Sequence, residues 1–108
     1  MSVRQRSVVW SSEAAADLDT IWEYYAQAAG RTTADTLVRE IGAAVALIET
    51  HPFAGRSRNE LRPGLRSIAS SPHVVFYRVG NDTLEIVRVL DGRRDIDEIF
   101  ADGDPNTG

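Results

Sequence analysis

The hydrophobic period of this chain changes once, and that change restricts its fold more than any other feature. From Glu13 onward the apolar positions Ala14, Leu18, Ile21, Trp22, Tyr25 and Ala29 recur every three or four residues, which places them on one face of a helix. Ser11 or Ser12 supplies an N-cap, and Gly30 stops the helix where a left-handed residue is cheap. A second stripe, Ala34, Leu37, Val38, Ile41, Ala44, Val45 and Ile48, predicts a helix from about Thr33 to Thr50. The turn between them is short, so the pair forms an antiparallel helical hairpin. "HPFAGRSRNELRPG" ends the helical pattern with two prolines and two glycines. The period then falls to that of strands: "LRSIAS" (65–70), "HVVFYRV" (73–79) and "TLEIVRVL" (83–90), separated by "SP" and "GND".

A hairpin of amphipathic helices can bury its stripe only against another layer, here an antiparallel sheet built from the three-strand meander. "SVVW" (7–10) supplies an N-terminal strand, and "DIDEIF" a short C-terminal helical turn. The expected fold class is therefore a two-layer α+β domain of order β-α-α-β-β-β. At 108 residues the chain fits one domain, expected over 1–100, with 101–108 as a flexible acidic tail. The expected core is Leu18, Ile21, Trp22, Ile41, Val45, Ile48, Phe76 and Ile86, all buried between hairpin and sheet.

Composition removes several function classes. There is no cysteine, hence no disulfide and no thiolate metal site. No apolar run reaches the ~18 residues of a membrane span, and the polar Met1–Arg6 start does not read as a signal peptide. A cytoplasmic protein is expected. All twelve basic residues are arginine, and they are unevenly spread. Residues 1–55 hold four arginines against seven acids, residues 56–94 eight against four, and residues 95–108 none against five. A local arginine surface is expected from this rather than general coating of nucleic acid.

The arginines crowd most in "RVLDGRRDIDEIF" (88–100), where three of them share thirteen residues with four acids. Two readings stay open. Arg93 and Arg94 follow Gly92 at the end of a strand and can present a binding patch, or one of them can pair structurally with Asp95 or Asp97. Arg78 and Arg88 interrupt apolar strands and are expected on a solvent- or partner-facing side. Planar guanidinium groups suit protein recognition, because they make bidentate pairs with carboxylates and stack on rings. Metal-free RNA cleavage would need a base for the 2′-hydroxyl and an acid for the leaving oxygen. The two histidines, His51 and His73, sit at a helix end and a strand start, with no acid–base pair indicated. They are not at metal-ligand spacing, and "GRSRNELRPG" lacks the pattern of a nucleotide loop. No catalytic residue, metal or cofactor is expected.

The order of elements resembles the RelE/ParE toxin superfamily, and the segments resemble its ParE branch. "AAADLDTIWEYYA" (14–26), "HPFAGRSRNELRPGLRSI" (51–68), "HVVFYRV" (73–79) and "EIVRVLDGRRDI" (85–96) carry the likeness, in the family's order. Asp91 stands where many relatives have histidine. The resemblance implies a toxin of a type II toxin–antitoxin system, neutralised by a ParD-like antitoxin and acting by binding DNA gyrase. The alternatives are a RelE-type mRNA endoribonuclease on the ribosome, or a degenerate toxin that only binds antitoxin. Arg93, Arg94, Arg78 and Arg88 are the candidate target-binding residues. Asp17, Leu18, Trp22, Glu23, Tyr25, Leu37 and Glu40 on the helices are the candidate antitoxin-binding residues. The antitoxin complex is expected to be tight, a heterotetramer or larger, with no sequence-specific DNA binding by the toxin alone and no membrane partner.

Overall fold

The computed structural model describes residues 6–102. Its elements are β1 (Ser7–Trp10), α1 (Ser12–Ala29), α2 (Arg31–Thr50), β2 (Arg56–Ser57), β3 (Leu65–Ser70), β4 (His73–Val79), β5 (Thr83–Asp91) and α3 (Ile96–Asp102). Ser11 caps α1 by accepting the Ala14 N–H at 3.0 Å. One residue, Gly30, joins the helices: its N–H donates to Ala26 and its carbonyl accepts from Ala34. At φ +95° that link suits a residue without a side chain. The second helix thus begins two residues earlier than its apolar stripe suggests.

The sheet runs β1-β5-β4-β3-β2. The meander β3–β4–β5 is antiparallel, as its turn residues imply, and the two-residue β2 extends it on one side. On the other side β1 lies parallel to β5, with Ser7 opposite Thr83 and Trp10 opposite Ile86. β5 is therefore a central strand, which is why both of its faces are apolar: Leu84, Ile86, Val87, Val89 and Leu90 are all buried. Between Phe76 and Tyr77 of β4 the pairing jumps from Arg88 to Ile86, leaving Val87 as the extra residue of a bulge. Leu84 and Ile86 before the bulge, and Val89 after it, belong to the same core. The one-residue insertion thus reverses which alternate positions face the helices.

Two cores result. The larger joins Ala14 of α1 and Ile41, Val45 and Ile48 of α2 to Val75, Tyr77, Leu84, Ile86 and Val89. The smaller gathers Leu65, Phe76, Val87 and Leu90 under Phe100 of α3. The rings of Phe76 and Phe100 meet edge to face, 4.9 Å between centroids. Phe76 is buried as expected, but beneath α3 rather than the hairpin, because it alternates with Val75 and Tyr77 along β4. "DIDEIF" is accordingly the cover of a second core. Of the tail expected to be flexible, residues 101 and 102 complete α3, and 103–108 lie outside the described residues.

Leu18, Ile21 and Trp22 are half-buried rather than buried. Within the hairpin, α2 supplies Ala34, Ile41, Val45 and Ile48 to the interior, whereas α1 supplies Ala14 alone. α1 packs over β5 near the sheet's edge, while α2 packs over β3 and β4. The flank of α1 therefore stays open. Trp22 uses it to donate Nε1–H to Asp35 Oδ1 at 2.8 Å, tying the two helices together.

Candidate functional site

β5 is longer than β1, so its last residues lose their parallel neighbour after Trp10. α1 covers the uncapped edge instead. The Ser11 Oγ donates to the Val87 carbonyl at 2.7 Å, and Asp17 Oδ2 accepts the Val89 N–H at 2.9 Å. The Asp17 carboxylate also takes Arg88 Nε and Nη2 at 2.8 and 2.9 Å, a bidentate pair with both side chains largely shielded. Arg88 is thus turned back onto α1 rather than toward solvent. The bond to Asp17 raises the Arg88 pKa.

Beyond this pair, α1, the start of β4 and the end of β5 enclose a cleft. Asp17, Thr20, Ile21, Tyr24 and Tyr25 line one wall, the spacing of a single helical face. His73, Val89, Leu90, Asp91, Arg93 and Arg94 line the other. At ≈ 260 Å³ the cleft is smaller than the ~300–1,000 Å³ usual for cofactor and drug-sized ligands. It suits one inserted side chain better than a nucleotide.

The turn after β5 is built by Asp91. Its carboxylate accepts the Arg93 backbone N–H and Nε, each at 2.9 Å, and Arg93 Nη2 at 2.6 Å. The Arg93 side chain, and then its backbone N–H, hold the Asp91 carboxyl well below the usual carboxylate range. The partner of Arg93 is therefore Asp91, rather than Asp95 or Asp97. Gly92 has no left-handed φ; its service is closeness. Its N–H donates to the Pro72 carbonyl at 2.9 Å, and a Cβ there would sit 3.3 Å from Val74 Cγ2.

His73 pairs with Asp91 across the ladder and meets the edge of the Tyr25 ring, 5.9 Å between centroids. It is 3 % exposed, and its Nδ1 has no hydrogen-bond partner. Burial lowers its pKa below 6.5, opposed by Asp91 and assisted by Arg93. Tyr25 in turn takes an edge-to-face contact from Tyr24, which is 64 % exposed at the mouth.

The cleft brings together residues expected in two separate sites: Asp17 and Tyr25 from the helices, Arg93 and Arg94 from the turn. Arg78 is not among them. It sits five residues from His73 along β4, roughly 17 Å at strand rise, and faces Glu85 at 3.9 Å. Leu18, Trp22 and Leu37 are half-buried, and Glu23 and Glu40 are exposed on the helices outside the cleft. Of the four candidate target-binding arginines, Arg94 alone makes no side-chain hydrogen bond or ion pair among the described residues. Sequence reasoning missed Tyr24, although it lies seven residues, two helical turns, from Asp17. It also placed His73 at a strand start and in no site. Other arginines are structural: Arg58, Arg62 and Arg66 stack over Phe76, Phe100 and Phe53 at 5.4, 4.8 and 5.0 Å.

Comparison with known proteins agrees with the fold. The family described as ParE toxin of type II toxin-antitoxin system, parDE, matches residues 8–96. Toxin ParE1 of Caulobacter vibrioides is 48% identical over 80 residues, 74% of this chain and 82% of that protein. Toxin ParE1 of Mycobacterium tuberculosis is 38% identical over 88 residues, covering 81% and 90%. Among solved structures, the chromosomal ParDE system from P. aeruginosa superposes with a TM-score of 0.72 at 27% identity, over 82% of this chain and 98% of that one. The YoeB/ParE toxin from Agrobacterium tumefaciens shares the fold, with a TM-score of 0.54 at 19% identity over 79% and 96%.

Proposed function

This chain belongs to the ParE toxin family of type II toxin–antitoxin systems, and we propose that it inhibits growth by binding DNA gyrase, held in check by a ParD-like antitoxin. The observation that carries a binding role is the state of the cleft's ionisable groups. Asp91, the carboxylate bonded to Arg93, is saturated by it and cannot collect a proton near neutrality. His73 is buried, and His51 lines a different groove beside Phe53. A general acid and a general base facing one phosphate are what RNA cleavage requires, and these groups do not form such a pair. Exposed tyrosine beside arginine is instead the composition of protein-binding hot spots.

The antitoxin's share of the surface follows from the open flank of α1. Leu18, Trp22, Tyr25 and Leu37 are half-buried, so each retains apolar area for a partner helix. The exposed Glu23 and Glu40 set pairing preference by charge. Asp17, engaged by Arg88, supports the surface rather than reading the partner. An antitoxin segment that folds on binding would bury more than the ~1,200–2,000 Å² of a standard complex.

The test is purified toxin, with and without its antitoxin, assayed on gyrase supercoiling and on ribosome-programmed mRNA side by side. Loss of supercoiling, restored by antitoxin, is the expected result. Cleaved mRNA with gyrase unaffected would establish the endoribonuclease reading instead, and inertness in both assays would establish a degenerate toxin.

A further inference from the structure

We propose that two copies of this chain join through β1, edge to edge and antiparallel about a two-fold axis at Val9, so that two five-stranded sheets become one continuous sheet. This goes beyond the gyrase and antitoxin reading and does not depend on it.

The first reason is an open row of backbone groups. β1 ends the sheet and pairs with β5 alone. The Ser7 N–H donates to the Asp82 carbonyl and the Ser11 N–H to the Ile86 carbonyl, each at 2.9 Å. Backbone groups alternate between the two edges of a strand, so Val8 and Trp10 turn theirs away from β5. Among the described residues no hydrogen bond reaches those N–H and C=O groups. Edge strands are ordinarily guarded by a charge, a proline or a bulge. β1 has none of these: its sequence is Ser-Val-Val-Trp, its register is unbroken, and Val9 in its middle is 46 % exposed.

The second reason is that the edge matches itself. An axis at Val9 sets Val8 of each copy opposite Trp10 of the other. Both residues present their backbone groups outward, so each of the two pairs exchanges two hydrogen bonds. The side chains agree. Val9 meets Val9, and Val8 meets Trp10 on the helix-covered face, where both are half-buried. Aromatic and β-branched residues make favourable cross-strand pairs. Moving the axis to Val8 would instead set the exposed Val9 against Ser7, and Trp10 against Arg6.

The third reason is charge. Arg6 precedes the strand and the exposed Glu13 follows it. Antiparallel pairing brings Arg6 of one copy to Ser12 of the other, beside Glu13, whereas parallel pairing would bring like charges together. The result is an isologous contact, the commonest kind in homo-oligomers. Four-residue edges bury less than the ~1,200 Å² of a standard complex. The dimer therefore exchanges with monomer at about 10 μM to 1 mM.

The experiment uses the full chain purified free of antitoxin. The sequence has no cysteine, so Val9→Cys carries a single thiol. In this dimer the two Cα atoms at position 9 lie about 4.5 Å apart, within disulfide range. Those at position 7 lie about 14 Å apart, outside it. Mild oxidation should convert Val9→Cys to a covalent dimer and leave Ser7→Cys, exposed on the same face, monomeric. In sedimentation velocity the parent should pass from monomer toward dimer over that concentration range. Val9→Lys sets two like charges opposite each other and should weaken dimerisation at least tenfold, with the melting curve unchanged. A parent that stays monomeric to about 1 mM would overturn the proposal and leave the edge to a strand of another polypeptide. A dimer that does not cross-link at position 9, equal cross-linking of Ser7→Cys, or dimerisation undiminished by Val9→Lys would overturn it as well.

Discussion

Asp17 of α1 and Arg88 of β5 clasp each other through two hydrogen bonds of 2.9 and 2.8 Å, while the same carboxylate caps the Val89 N–H. One side chain thus replaces the strand neighbour that β5 loses where β1 ends. Asp17→Ala should lower unfolding stability by about 2–4 kcal/mol, because it strands both a shielded guanidinium and a ladder N–H. Arg88→Ala should cost less, since the Asp17–Val89 bond survives. Urea unfolding of the two single variants and the double variant measures the coupling. Strict additivity would mean that the pair does not hold α1 to β5.

The turn after α2 depends on Gly55 and Tyr77. The Gly55 N–H donates to the Tyr77 hydroxyl at 2.9 Å, and that hydroxyl donates to the Pro52 carbonyl at 2.7 Å. A Cβ on Gly55 would collide with the Tyr77 hydroxyl oxygen and lie 2.8 Å from the Ser67 carbonyl. Tyr77→Phe should cost about 1–3 kcal/mol through the unpaired Gly55 N–H. Gly55→Ala should cost more, because backbone must also move. Thermal melts that rank the two variants the other way would contradict this account of the turn.

Much of the fold was legible because helix stripes and hairpin turns are local signals. Ile41, Val45 and Ile48 sit where their spacing puts them, and β3, β4 and β5 span nearly the ranges their residues mark. What was not legible is set by non-local pairing. Nothing in "SVVW" says that it lies parallel to a strand more than seventy residues away. Ile96, Ile99 and Phe100 do carry helical spacing, but only the second apolar face of the sheet explains why they are needed. The arginines of "RSRNELRPGLR" read as surface charge, whereas Arg58, Arg62 and Arg66 spend their planes on aromatic rings. The cleft escaped for the same reason: the turn after Ser70 and the register of β4 bring His73 opposite Asp91.

The second core gives its own prediction. Phe100→Ala should destabilise by about 3–5 kcal/mol, a large part of the ~5–15 kcal/mol expected of such a domain. Ile41→Ala in the main core should cost about 2–5 kcal/mol. A Phe100→Ala variant that melts like the parent would show that α3 is an ornament on the sheet.

Stability should also depend on pH through His73. Its folded pKa is lowered from 6.5 by burial, so the unfolded chain takes up the proton first as pH falls. Stability is therefore full above the unfolded value and declines as pH drops through 6.5 toward the folded pKa. Asp91 acts in a separate window: its folded pKa is lowered from 3.8, so its contribution is lost only below that pH. Tm should fall between pH 7.5 and 5, and His73→Gln should flatten that part of the curve, whatever its effect at high pH. An unchanged slope would assign the decline to other groups.

The potency of Arg94→Ala against DNA gyrase tests the central claim most directly. Arg94 is exposed and makes no side-chain bond among the described residues, so its removal should change the unfolding free energy by no more than about 0.5 kcal/mol. If the cleft is where the toxin grips its target, the concentration needed to inhibit supercoiling should rise roughly tenfold or more, as for loss of one charge-assisted contact. A folded Arg94→Ala chain that inhibits gyrase as well as the parent would place the working surface elsewhere.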